Sequence, residues 1–373
     1  MKTIVVLGGY GNFGKRIVEE LTQLTDAVIY VAGRDAQKAN HLINKLSSQS
    51  KAELLPLPID ITANNFQAQL QALNPFLVIH TSGPFQGQDY HVPEVCIDIG
   101  AHYIDLADDR RFVCDIKQLD TKANKKHVLV VSGASSVPGL SSVILDHYYS
   151  GFSEIDTIDI AIAPGNKAER GEATIRGILS YTGHPFPIFK GGNWVNGYGW
   201  MDSRKINFDD DNDSRPLANV DVPDLELFPD RYSVTNTVKF QAGLELNLLH
   251  QTMVFMAWLA KKNIVKNWAP LTKPIMKASN LLKVLGTDRG YMRVVIEGKD
   301  LRLKHKTIKW ILTADKGIGP YIPTLSAIII AKKLINNKID LRGAMPCLGL
   351  YTLDEFLPYA TQLDLQIREH TIG

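Results

Sequence analysis

Cysteine is scarce in this chain: three residues, Cys96, Cys114 and Cys347. They lie far apart and show no metal-ligand spacing, so neither a disulfide framework nor a cysteine-based metal site is indicated. Net charge is also small, +2 over 373 residues, which gives no reason to propose a nucleic-acid partner. Long apolar runs are missing too. The longest apolar runs, such as 322–330, are too short to span a bilayer. Met1-Lys2 runs straight into an apolar segment with no leader-like stretch, so a cytoplasmic protein is expected. What remains is an ordinary globular composition, 45% hydrophobic and 21% charged, in a chain long enough for two domains at about 150 residues each.

The most informative stretch is the first. Ile4, Val5, Val6 and Leu7 read as a buried strand, followed by Gly8-Gly9-Tyr10-Gly11-Asn12-Phe13-Gly14. Gly9, Gly11 and Gly14 have the G-x-G-x-x-G spacing, and Ile17, Val18, Leu21 and Leu24 follow at helical intervals. In a dinucleotide site Gly9 permits the tight turn, Gly11 lets the backbone approach a pyrophosphate, and Gly14 lets the helix pack on the strand. The helix N-terminus then faces the anion. Tyr10, Asn12 and Phe13 complete the turn and count as cofactor-binding candidates.

The pattern repeats along the first half. Strands are expected at 27–32, 53–59, 76–80, 103–106 and 128–131, with helices between them. Such alternation implies a parallel sheet with right-handed crossovers. The second strand ends in Gly33-Arg34-Asp35. An acidic residue here would favour NAD and an arginine would receive the 2′-phosphate of NADP. Asp35 reads as a helix N-cap, so Arg34 favours NADP while NAD stays open. Asp60 and Ile61 end the third strand, where the adenine would lie. Ser82, Gly83 and Pro84 follow the fourth strand, beside the point where strand order reverses, and should lie against ribose and nicotinamide.

A proton donor or acceptor is expected at the carboxyl edge of this sheet. Tyr90, His91, Asp105, Asp108, Asp109 and Ser82 are the candidates; none has a partner identifiable from spacing, so the catalytic residue stays unassigned. In the second half, Arg170, Arg176 and His184 could hold a substrate carboxylate. A hairpin is expected at 190–194, and strands at 155–163, 200–208, 234–241, 291–298 and 307–314. The aspartates of 209–213 lack the glycine and closing glutamate of a calcium loop, so no metal is expected. Residues 244–259 read as an apolar helix, and 258–285 mixes apolar residues with six lysines, a pattern able to touch an anionic membrane surface. One open face of the second sheet would serve a homodimer.

Several of these segments together resemble a known family. The run 9–14, Gly33-Arg34, Ser82-Gly83-Pro84-Phe85, Tyr103-Ile104-Asp105-Leu106 and Val137-Pro138-Gly139-Leu140 are similar to the saccharopine dehydrogenase (saccharopine reductase-like) family. A weaker likeness runs through 319–323 and 343–349. The resemblance implies an α/β protein: a Rossmann NAD(P)-binding domain at 1–142, a second α+β domain with a mixed or antiparallel sheet for substrate or dimerisation at 143–315, and a segment at 316–373 returning to the first. It implies hydride transfer on a small imine or amino-acid-type substrate. Two departures argue against saccharopine itself: Val137 replaces an aspartate, and Ala107-Asp108-Asp109 replaces a Ser-Tyr stretch. Two alternatives stay open, an enoyl reductase of a lipid or polyketide-like substrate and an NADP-binding sensor or scaffold without turnover.

Overall fold

A computed structural model describes residues 1–208 and 213–373; of the aspartate run at 209–213, only Asp213 is among them. The chain forms two compact units, Met1–Leu140 with Tyr321–Tyr351, and Ser141–Pro320 with Thr352–Gly373. The return to the first unit is therefore shorter than the expected 316–373. Its last part, 352–373, belongs to the second unit, because Gln366–Ile372 is a strand of that unit's sheet.

The first unit is built on β1 (Lys2–Leu7), β2 (Ala27–Gly33), β3 (Glu53–Pro58), β4 (Leu77–His80), β5 (His102–Asp105) and β6 (Leu129–Ser132). They pair in parallel in the order β6-β5-β4-β1-β2-β3, and a further parallel strand, Gly343–Pro346, lies outside β6. Ile4, Val5, Val6 and Leu77, Val78, Ile79 are fully buried. Continuous apolar strands of this kind belong in a parallel sheet covered on both faces. One face packs Val5, Leu7, Val78 and Tyr103 against Phe66, Leu70, Val92 and Val95 of two crossover helices. The order reverses between β1 and β4, whose register sets Leu7 beside His80. The loops after these two strands therefore leave the sheet side by side, where open α/β sheets bind their ligands.

The second unit has a mixed sheet of β7 (Glu154–Ala163), β10 (Arg204–Asn207), β11 (Ser214–Asn219), β12 (Thr237–Gly243), β13 (Gly290–Lys299) and β14 (His305–Ala314), in the order β10-β11-β12-β7-β13-β14, closed by Gln366–Ile372. Among the described residues, β7 and β12 pair in parallel and the other neighbours antiparallel. Alternation is clear: Ile158, Ile160, Val238, Phe240, Val294 and Ile296 are buried, while Asp159, Lys239 and Arg293 point to the opposite face, as period-two side chains must. There Asp159 pairs with Arg204 at 2.5 Å and Arg293 at 3.1 Å. A separate hairpin joins β8 (Pro185–Lys190) to β9 (Asn193–Tyr198). Its two turn residues, Gly191 and Gly192, have φ of +63° and +73°, the primed turn that suits a two-residue hairpin. Among the described residues, no helix is long and apolar enough to cross a membrane.

Candidate functional site

The glycine turn leaves β1 and enters the helix Gly14–Leu21. The three glycines of the motif differ in what surrounds them. A Cβ on Gly14 would run into the Gly8 carbonyl, and one on Gly9 would lie 2.8 Å from Val6 O. Gly11 differs: its added Cβ would have one neighbour within 4 Å, Gly8 O at 3.0 Å. The outer side of Gly11 is open, as a backbone that must admit a pyrophosphate requires. The helix that follows has no side-chain cap and no acid in its first turn, so its positive end is available to an anion. Asn12 is occupied inside the turn, taking Arg16 on both its carbonyl and its Oδ1.

Tyr10 links this turn to the end of β2. Its ring covers Gly33, where a Cβ would lie 2.6 Å from the phenol. Its hydroxyl accepts from Asp35 N at 2.8 Å. Asp35 in turn caps the helix Ala36–Leu46, accepting from Gln37 N and Lys38 N. With Asp35 committed, Arg34 is left exposed at the end of the strand. Asp60 stands across from it at the end of β3. Hydrogen bonds from Thr62 N and Thr62 Oγ1, with a smaller contribution from the Arg34 charge, hold its carboxyl below the usual range. Ile61 packs half-buried against the core.

After β4, Thr81 donates through Oγ1 to Leu7 O at 2.8 Å and tethers the two adjacent loops. A Cβ on Gly8 would lie 2.8 Å from Ser82 Oγ, so the Ser82-Gly83-Pro84 loop lies against the glycine turn. Gln88 fixes this loop, donating to Ser82 O at 3.0 Å and Pro84 O at 2.7 Å. Neither Thr81 nor Gln88 stands out in the sequence, since their partners are carbonyls that only the fold identifies.

The carboxyl-edge candidates separate sharply. Asp105 is fully buried and accepts from Ser132 Oγ, Gly133 N and Ala107 N at 2.8–3.0 Å. Burial raises its pKa to about 6 against the pull of these bonds. It ties β5 to β6 and is withdrawn as a candidate catalyst. Tyr90 donates to Phe112 O at 2.8 Å, and burial holds its phenol well above the ordinary value. His91 is exposed at the start of its helix, with its ring 5.7 Å from that of Phe66. Asp109 caps the helix Arg110–Cys114 through Phe112 N. Asp108 has no such capping task. It is half-buried and accepts from Gln86 Nε2 at 3.2 Å, and burial pushes its carboxyl upward. His80 and Tyr103, on β4 and β5, are buried together, Nδ1 to hydroxyl 3.0 Å.

The second-unit candidates do not form a carboxylate pocket. Arg170 donates to Asn166 Oδ1 at 3.2 Å, Arg176 pairs with Glu172 one helical turn away, and His184 Nε2 meets Lys266 O at 2.8 Å. Each side chain is engaged by its own neighbour. Among the described residues, no three His, Cys, Asp or Glu side chains gather as a metal site.

Residues 4–131 match the family described as the saccharopine dehydrogenase NADP binding domain. Comparison with curated protein sequences gave no match. Among solved structures, the chain is similar to apo saccharopine dehydrogenase (L-Glu forming) from Saccharomyces cerevisiae, at 12% identity and TM-score 0.71, over 100% of both chains. It is also similar to amine dehydrogenase from Mycobacterium smegmatis, at 8% identity and TM-score 0.49, over 93% of this chain and 94% of that one. The chain thus has the saccharopine dehydrogenase fold, with a Rossmann domain whose residues 4–131 match the family of saccharopine dehydrogenase NADP binding domains.

Proposed function

We propose that this NAD(P)-dependent oxidoreductase uses NADP to move a hydride to or from the carbon–nitrogen bond of a small imine or amino-acid-type substrate other than saccharopine. The carrying observation is the pairing of an open Gly11 and uncapped helix start with an exposed Arg34. These residues fit the cofactor. Gly9, Gly11 and the first turn of Gly14–Leu21 would hold the pyrophosphate, and Arg34 the 2′-phosphate. Asp60 and Ile61 would border the adenine, and Ser82, Gly83 and Pro84 the nicotinamide riboside. Bound NADP supplies the hydride chemistry; the protein supplies orientation and a proton.

Asp108 is assigned the proton. A carboxyl with raised proton affinity can give a proton to a substrate nitrogen and take it back in the reverse direction. Its neighbours Asp105 and Asp109 are committed to holding the backbone. Fluorescence titration of the purified protein with NADPH and NADH tests the cofactor. Tight binding of NADPH with weak binding of NADH is expected; binding of neither would shift the reading to a protein without turnover. A screen of imines and amino acids, repeated with Asp108→Asn, tests the chemistry. The variant should keep NADPH affinity and lose turnover. Unchanged turnover across the pH range would remove Asp108 from the mechanism.

A further inference from the structure

The second unit carries a surface that hydride transfer does not use. From 246 to 287 the sequence contains six lysines and neither aspartate nor glutamate. Among the described residues, eight of the seventeen exposed large hydrophobic side chains fall in this one segment. The helix Asn247–Lys261 explains part of the pattern. It buries His250, Met253, Met256, Ala257 and Ala260. The opposite stripe presents Leu248, Phe255 and Trp258, which recur at helical spacing. Phe255 is 58% exposed, and its ring stacks on that of Trp258 at 6.0 Å. The chain then passes exposed Ile264 to the helix Thr272–Leu281, where the last residue, Leu281, is 77% exposed and Val284 just beyond is 78% exposed.

The lysines are placed among these apolar side chains. Lys261 lies 3.8 Å from the centre of the Tyr198 ring. Lys262, Lys266, Lys273, Lys277 and Lys283 make no ion pair among the described residues. A groove beside the second helix is lined by Lys273, Met276, Lys277, Asn280, Leu281 and Glu172. Glu172 is the one carboxylate there, and it already pairs with Arg176 at 3.2 Å.

We propose that residues 246–287 form a docking surface for an anionic phospholipid membrane. Aromatic and aliphatic side chains would enter the headgroup boundary, and the lysines would meet lipid phosphates. The charge complementarity is one-sided: a run of lysines without a single acid matches a surface of one sign. The composition also favours lipid over a protein partner, because protein interfaces are depleted in lysine whereas interfacial helices are rich in it. This surface is independent of the cofactor assignment, so failure of either leaves the other standing.

Vesicle flotation of the full chain tests it, comparing phosphatidylcholine alone with a mixture containing roughly 30% phosphatidylglycerol, an anionic leaflet. Binding to the mixed vesicles alone is expected, with loss on raising salt toward about 1 M as screening shortens. Changing Lys262, Lys266 and Lys277 together to Gln should weaken partitioning by about two orders of magnitude, at roughly fivefold for each lysine. Phe255→Ser with Trp258→Ser should also abolish it. Circular dichroism and the unfolding midpoint, both unchanged from the parent, establish that the variants are folded. Insertion has its own readout: acyl-brominated lipids should quench tryptophan fluorescence in the parent and much less in Trp258→Phe, which should still float. Absence of binding to anionic vesicles at low salt would overturn the proposal. So would equal binding to both vesicle types, undiminished binding by the lysine variant, or retention of an acidic protein in place of lipid.

Discussion

Gly11 and Gly14 are three residues apart and should fail differently when given a methyl group. At Gly14 the added carbon meets the Gly8 carbonyl and Gly9 Cα, which belong to the turn itself. Helix and turn would have to separate, so Gly14→Ala should lose about 1–3 kcal/mol of stability together with NADPH binding. At Gly11 the single near neighbour is Gly8 O, and the rest of the methyl would project where a pyrophosphate must approach. Gly11→Ala should therefore keep its unfolding midpoint and lose nucleotide affinity. Equal losses of stability in the two variants would show that Gly11 is a packing residue. Arg34 makes a third kind of contribution. It lies exposed beyond the Asp35 cap, so Arg34→Ala should leave folding intact and weaken NADPH by about 1.5–3 kcal/mol, the worth of a charged hydrogen-bond partner. NADH should be almost unaffected; a matching loss for both nucleotides would detach Arg34 from the 2′-phosphate.

The elements of the first unit were legible because local pattern and tertiary role coincide. Buried parallel strands are apolar throughout, and the glycine turn is contiguous, so both its spacing and its setting can be read from 4–24. The carboxylates were not legible. Asp105 falls within the expected strand and Asp108 and Asp109 after it, but the sequence does not name Ser132 and Gly133 as the partners that commit Asp105, which they reach from 27 and 28 residues away. The second unit was harder for related reasons. β11 contains Pro216, and the helix Asp224–Arg231 contains Pro229, residues that usually argue against those elements. The strand expected from 200 begins at Arg204, after Trp200 and Asp202 adopt left-handed φ of +58° and +54°. Gln366–Ile372 is mostly polar and gives little sign of a strand, because this edge strand pairs on one side alone. Glu245 is a similar long-range device. Just beyond β12, it accepts from Asn166 N, Thr287 N and Thr287 Oγ1, and pairs with the buried Arg215 at 3.0 Å. Glu245→Ala removes an anchor for two loops and leaves a buried cation short of a partner. A loss of about 3–5 kcal/mol in denaturant unfolding is expected. A loss below about 1 kcal/mol would mean that the two loops hold their places without it.

At the scale of the whole molecule, buried histidines dictate how the two units respond to acid. Burial lowers the pKa of His80 and His102 in the first unit, and of His250 in the second, to about 4 in each case. Unfolded, they would titrate near about 6.5. Their contribution is fully present above that value and is lost as pH falls through the folded value, because the unfolded chain takes up protons that the native state refuses. Asp105 acts in the opposite sense. Its folded pKa of about 6 lies above the model-peptide value of 3.8, so its contribution is present below that lower value and is lost as pH rises through the folded one. Between about pH 6 and pH 4, Asp105 offsets one of the two first-unit histidines, and Asp108 and Asp109, whose carboxyls burial also raises, act in the same sense. His250 in the second unit has no such counterweight among the described residues, so that unit should lose up to about 1.4 kcal/mol per pH unit in that window. Calorimetry across it should show the second unit destabilised more than the first. His250→Gln, which retains a polar group for Ser203, should flatten the dependence in the second unit alone. An unaltered slope there would mean that His250 is protonated in the folded protein, and that its 2.7 Å bond with Ser203 Oγ survives with the ring charged.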